Sequence, residues 1–376
     1  MTDASLDIAK IVAGLVVLIS GGECLVRGAV RLAAAARVSP LIIGLTVVAF
    51  GTSAPELAVA IQSAVAGSSD IAVGNVVGSN IFNLLFILGI SALIVPLVVS
   101  SRLIRWDVPL MVVASFLLLV LGWDQRIGRL DGLLLFGCLL AYTYWCIRQS
   151  RKESRAIQEE FSHEIPIAQR GMRSTLIQLG LIVVGLVLLG IGSNLLISGS
   201  VAVAKRLGMS ELIIGLTIVA AGTSLPEVVT SIVAAVRGER DIAVGNLVGS
   251  NLFNILCVLG LSSLVAPEGI AVSPTALRFD IPVMIAVAVA CLPIFFTGNR
   301  IARWEGGLFF FYYVAYTTYL VLDATESTYS RTLTDVMVGF VIPLTVVTLM
   351  VACYRGMRGH HSELSAVAEN DGAADR

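Results

Sequence analysis

Residues 44–56, GLTVVAFGTSAPE, and residues 215–227, GLTIVAAGTSLPE, decide the fold. Each lies inside a long apolar run. Each also ends in GTSxPE, which sets a glycine, two hydroxyls, a proline and a glutamate where a continuous apolar helix would run. The likeness extends outward on both sides. Residues 42–89 and 213–260 align without a gap at an offset of 171, with 31 identities in 48 positions. DIAVGNVVGSNIFN (70–83) returns as DIAVGNLVGSNLFN (241–254). Gly14-Leu-Val meets Gly185-Leu-Val upstream, and RIGRLDG (126–132) resembles RIARWEG (300–306) downstream. Shared hydrophobicity would repeat apolar residues, not the same glycines, asparagines and acids, so the chain is an internal duplication.

Composition places that duplication in a bilayer. Of 376 residues 57% are hydrophobic and 14% charged, against about 25% charged in soluble domains. A net charge of −1 gives no reason to propose nucleic acid as a partner, and no obligatory protein partner is evident. Six cysteines are scattered through apolar runs without a CxxC pair and read as packing residues. MTDASLDIAK lacks the basic start of a signal peptide, so the first apolar run is expected to stay in the mature protein.

A hydrocarbon core about 30 Å thick needs about 20 helical residues. Cutting at polar breaks gives eleven spans, near 8–32, 38–66, 70–97, 106–122, 130–147, 174–204, 210–236, 241–266, 277–296, 304–323 and 334–354. The fold class is therefore an all-α polytopic membrane protein with an inverted repeat of five plus five transmembrane helices and one extra C-terminal helix. Its parts are a first repeat over 1–147, a loop over 148–173, a second repeat over 174–323, an extra helix over 324–354 and a tail over 355–376. An odd number of spans per repeat turns the second copy upside down, the sequence mark of a secondary transporter with its site at the midplane. Most basic residues fall on the side of the 148–173 loop, which makes that loop and the C-terminus cytoplasmic and the N-terminus external.

The breaks supply the chemistry. Glu56 lies about 11 residues from the end of its run, roughly 16 Å deep, and Glu227 matches it in the second copy. A carboxylate at that depth costs at least about 2.5–3.5 kcal/mol and faces a partner or a polar cavity. Pro55 and Pro226 lack an N–H and free the carbonyls of Gly51 and Gly222. Thr52 and Ser53, and Thr223 and Ser224, add hydroxyls one turn away. Asn75, Ser79 and Asn83 share one helix face, as do Asn246, Ser250 and Asn254. Gly74 and Gly78, like Gly245 and Gly249, form GxxxG and read as packing. Asp70 and Asp241 read as helix N-caps. The donor set is all oxygen, which suits calcium or sodium; zinc or copper would want imidazole or thiolate. One Ca²⁺, two or more Na⁺, or protons would neutralise two carboxylates, and obligatory exchange follows from that electrostatic rule.

At these motifs the sequence resembles the calcium/cation antiporter superfamily, most closely its prokaryotic sodium/calcium exchanger branch. The resemblance implies a ten-helix core with ion sites at its centre, and alternating access by sliding of helices 1 and 6. It implies Glu56 and Glu227 as calcium carboxylates, joined by Thr52, Thr223 and the backbone oxygens of Ala49 and Ala220. Ser53, Ser79, Ser224 and Ser250 would serve sodium, and Asn83 and Asn254 the central site. The best-described relatives carry an aspartate where this chain has Asn254, so one acid fewer favours fewer cations per cycle. The function expected is exchange of Ca²⁺ for Na⁺ across the cytoplasmic membrane, with no resident cofactor. A proton-coupled or K⁺-dependent exchanger is the alternative, and a cation channel the remote one. No GxxxxGK[ST] motif for ATP hydrolysis occurs, so the protein is expected to be neither a primary pump nor another enzyme.

Overall fold

The computed structural model describes residues 3–36, 38–150, 172–209, 218, 220–296, 298–327, 329–348 and 350. The first half of the chain forms α1 (Asp3–Ala36), α2 (Pro40–Thr52), α3 (Ala54–Val65), α4 (Ser69–Ile94), α5 (Leu103–Leu121) and α6 (Arg129–Ser150). The second half forms α7 (Met172–Arg206), one helical turn at Ala220–Gly222, α8 (Leu225–Val236), α9 (Arg240–Val265), α10 (Ala276–Phe296) and α11 (Arg303–Ala324). A last helix, α12 (Tyr329–Thr348), follows. Two ribbons stitch the halves together at the helix ends: β1 (Leu97–Val98) pairs antiparallel with β4 (Arg300–Ile301), and β2 (Arg126–Ile127) with β3 (Ile270–Ala271).

Among the described residues eight helices are long and apolar enough to cross a bilayer, nine if α2 and α3 count as one bent span. Of the other two expected spans, the one near 304–323 is the 22-residue α11, whose four tyrosines make it less apolar than its neighbours. The one near 210–236 is described mainly from Ala220 onward; residues 210–217 lie outside the described residues. So do 151–171 of the expected loop and the whole tail 355–376.

With lipid as solvent, apolar area alone does not drive helices together, and small residues that allow close backbone approach take over. α1 and α7 show this along their length. Gly14, Gly21 and Gly28 recur every seven residues on α1, and Gly185, Gly192 and Gly199 do so on α7. A Cβ on Gly21 would lie 2.8 Å from Leu189 N and 2.9 Å from Gly185 O, and one on Gly14 would lie 2.9 Å from Gly192 O. Rising numbers on one helix meet falling numbers on the other, so the two run antiparallel. Elsewhere the contacts are also reciprocal. Tyr142 donates to Asp107 at 2.9 Å, and Tyr316 donates to Asp280 at 3.0 Å.

α9 is buried along its whole apolar window and α4 over most of it, whereas none of α12's window is buried. The two GNxxGSN helices are thus the centre of the molecule, and α12 lies at its edge, tied to α11 by the Tyr312 hydroxyl on Thr345 Oγ1 at 2.7 Å. The capping residues differ from expectation. Ser68 and Glu239 occupy the N-cap positions of α4 and α9, and Asp70 and Asp241 lie in the first turn, where the helix dipole favours an acid.

Gly21→Val should force α1 and α7 apart and destabilise the protein by about 1–3 kcal/mol. Gly180→Ala, on α7 but with nothing within 4 Å of the added carbon, should be neutral or stabilising. Thermal melting of the two variants in detergent checks the contrast.

Candidate cation site

The sequence break becomes a bend. α2 and α3 meet at 45° around Ser53, whose φ of −84° and ψ of 9° leave the helical range. Ser224 takes the same form at φ −87° and ψ 8°. Pro55 and Pro226 sit at the heads of the helices that follow, where a missing N–H costs nothing. Glu56 and Glu227 then fall in first turns, facing the positive ends of α3 and α8. The freed carbonyl of Gly222 accepts the Ser193 hydroxyl at 2.7 Å. Ala49 O, a ligand candidate, accepts the Ser53 N–H at 3.0 Å and the Thr52 hydroxyl at 3.4 Å.

The two halves exchange hydrogen bonds at their acids. Ser53 donates to Glu227 Oε1 at 2.9 Å, and Ser224 donates to Glu56 Oε1 at 2.9 Å. Ser224 also approaches Ser79 Oγ at 3.2 Å. The Thr52 hydroxyl donates to Asn246 Oδ1 at 3.1 Å, and Asn246 donates on to Ser231 Oγ at 3.1 Å. Asn75 instead reaches the backbone oxygen of Glu56 at 3.2 Å. Thr52, Ser53, Glu56, Ser79, Asn83, Ser224, Glu227, Ser250 and Asn254 are all buried, none above 3% exposed. Ala49 is buried too, Thr223 is half-buried, and Ala220 begins the helical turn ahead of the second break.

What these groups leave open is a set of oxygens. Glu56 Oε2, Glu227 Oε2, Asn83 Oδ1, Asn254 Oδ1, Ser250 Oγ and Thr223 Oγ1 are enclosed without a protein partner. A buried polar atom left unpaired costs about 1–3 kcal/mol, more when charged, so each such oxygen calls for a partner. Carboxylate, amide and hydroxyl oxygens suit a hard cation. The residues present fit one.

Sequence reasoning passed over Asn80 and Asn251, both 1% exposed, and the hydroxyls of Thr230 and Ser231, both fully buried. Asn80 and Asn251 were signalled by their identity in the two copies. Thr230 and Ser231 were not, since the first copy has Val59 and Ala60 there.

A family model described as sodium/calcium exchanger protein matches residues 7–148 and 177–322. The chain belongs to that family. It is 33% identical to the sodium/calcium exchanger MaX1 of Methanosarcina acetivorans over 82% of this chain and 96% of that one. It is 35% identical to the inner membrane protein YrbG of Escherichia coli, over 75% and 86%. Among solved structures, the sodium-calcium exchanger NCX_Mj soaked with 2.5 mM Na⁺ and 0.1 mM Ca²⁺ superposes with a TM-score of 0.70 at 28% identity, covering 82% of this chain and 96% of that one. Family membership makes this chain a multi-pass integral membrane transporter.

Ser224→Ala removes two contacts and Ser53→Ala one. Both should lower the melting temperature of the ion-free protein, the hydrogen bond to a carboxylate being worth about 1.5–3 kcal/mol of stability, with Ser224→Ala the larger loss. Equal melting temperatures for the two variants would contradict the asymmetry.

Proposed function

We propose that this protein is a secondary-active antiporter that moves Ca²⁺ against Na⁺ across the cytoplasmic membrane. The observation that carries this reading is the pair of enclosed carboxylates. Each is held at one oxygen by a hydroxyl from the other half, and each leaves its second oxygen open beside neutral oxygen donors. Support also comes from family membership and from relatives whose names carry sodium/calcium exchange.

Glu56 and Glu227 supply the fixed charge. Thr52, Ser53, Thr223, Ser224, Ser79, Ser250, Asn83, Asn254 and the backbone oxygens of Ala49 and Ala220 supply neutral ligands. Two negative charges match one Ca²⁺ or two Na⁺, and the same oxygens cannot hold both loads at once. An empty site would carry unpaired charge through a low-dielectric passage at a cost of several kcal/mol per ion. Only a loaded site therefore crosses, which couples the two fluxes. The broken helices help at each end: the carbonyl pole of α2 points toward the cation, while the amide pole of α3 holds the Glu56 side chain. The N-terminus lies outside, and residues 148–173 and the C-terminus lie in the cytoplasm.

The test is ⁴⁵Ca²⁺ uptake into proteoliposomes loaded with Na⁺, with K⁺ or with a proton gradient. Uptake should require internal Na⁺, and Glu56→Gln and Glu227→Gln should each cut it by more than about tenfold. Uptake driven by protons or K⁺ alone would keep the site and replace the counter-ion. Calcium flux with no counter-ion would overturn exchange in favour of a channel.

A further inference from the structure

Four buried asparagines link α4 to α9 across the centre of the molecule. Asn80 donates from Nδ2 to the backbone oxygen of Asn251 at 3.3 Å and lies 3.6 Å from Met284 Sδ. Asn251 answers from Nδ2 to the backbone oxygen of Asn80 at 3.4 Å, with Met111 Sδ at 3.6 Å. Their other ends face the candidate ligands. Asn254 Nδ2 donates to Asn80 Oδ1 at 3.1 Å, and Asn83 Nδ2 donates to Asn251 Oδ1 at 3.0 Å. None of the four is more than 1% exposed.

The direction of this network follows from chemistry. A backbone carbonyl and a thioether only accept, so the groups of Asn80 and Asn251 that face them must be NH₂. Each amide is planar and carries its oxygen opposite. Asn80 Oδ1 and Asn251 Oδ1 therefore point at Asn254 and Asn83, which must offer their own NH₂ in turn. Turning Asn254 over would set two amide oxygens 3.1 Å apart and direct an NH₂ at the cation. What remains is Oδ1 of Asn83 and Oδ1 of Asn254, both enclosed and unpartnered.

We propose that Asn80 and Asn251 are positioning residues: through the crossed pairs Asn80–Asn254 and Asn251–Asn83 they turn two amide oxygens, rather than amide N–H groups, toward the bound cation. The inference rests on the cation-site reading above. Both candidate ligands also open a wide turn, Asn83–Ile87 in α4 and Asn254–Leu259 in α9. Such turns shift the side-chain register of a helix and recur at functional sites. The crossing makes the arrangement specific: each brace acts on the ligand of the opposite repeat, not on the one three residues along its own helix.

Equilibrium ⁴⁵Ca²⁺ binding to the full chain in detergent, with thermal melting alongside, tests it by double-mutant cycles. Asn80→Ala and Asn251→Ala should each weaken calcium binding by about tenfold, the loss of one orienting hydrogen bond. Asn80→Ala should add little in an Asn254→Ala background and its full effect in an Asn83→Ala background. The mirror pattern should hold for Asn251. Where an alanine variant does not fold, Asn80→Ser and Asn251→Ser, whose hydroxyls bond back to their own helix, give the same cycle. Melting temperatures that fall with calcium affinity unchanged, or losses that add in every background, would overturn the positioning role and leave only a structural brace. Wild-type protein that binds no Ca²⁺ would remove the cation reading itself, and this inference with it.

Discussion

Two glutamates held away from water are the constraint on which the rest of the structure depends. Burying an ionised carboxylate costs several kcal/mol unless it is paired and hydrogen-bonded. Among the described residues no arginine or lysine forms an ion pair with Glu56 or Glu227; the ion pairs involve Asp7, Glu23 and Asp107 instead. Their partners are hydroxyls from the opposite half, Ser224 for Glu56 and Ser53 for Glu227. Neutral donors steady a carboxylate without cancelling its charge, so its attraction for a cation is kept. A lysine in the same place would hold the fold together and abolish the site.

That constraint explains the helix breaks. An unbroken helix keeps its carbonyls and amides bonded to one another and offers a cation only side chains. At Ser53 and Ser224 the backbone leaves the helical range for one residue, and the proline that follows removes one donor. The negative pole of one half-helix and the positive pole of the next then meet at the site. The cost of the break is limited because it is enclosed: α4 and α9, the most buried helices, pack against it, and Ser193 satisfies the released carbonyl of Gly222.

The sequence discloses some of this more readily than the rest, for physical reasons. An acid, a proline and two hydroxyls inside an apolar run are conspicuous, so Glu56, Glu227 and the residues beside them stand out before any coordinates. The wide i, i+4 stripe gathers Asn75, Ser79 and Asn83. Asn80 escapes it because one residue is a rotation of about 100°, which places it off the stripe and toward α9. Which face of α4 meets which helix is tertiary information that periodicity does not carry. Capping is hidden likewise: Ser68, Ser69 and Asp70 are all good caps by type, and the chain's entry into α4 selects Ser68. The tyrosine-rich α11 is marginal by hydropathy, yet its Tyr316 is engaged with Asp280, so its polarity is spent inside the protein.

Where the halves cease to match is as informative as where they agree. Reciprocal contacts at the acids, the asparagines and the ribbons mean that exchanging the roles of the two halves exchanges equivalent interactions. Two conformations related in that way differ little in energy, which is what a carrier open alternately to two sides requires. The departures lie one turn from the acids. Ser193 holds Gly222 O, while the aligned position on α1 is Gly22, which has no hydroxyl to offer Gly51. Asn246 is engaged by Thr52 and Ser231, while its counterpart Asn75 bonds to backbone because Ala60 stands where Ser231 does. Among the described residues the two breaks therefore differ in their surroundings, since Ser193 and Ser231 have no hydroxyl counterpart in the first half. The acids and their serine partners match across the halves, and the hydroxyls one turn away do not.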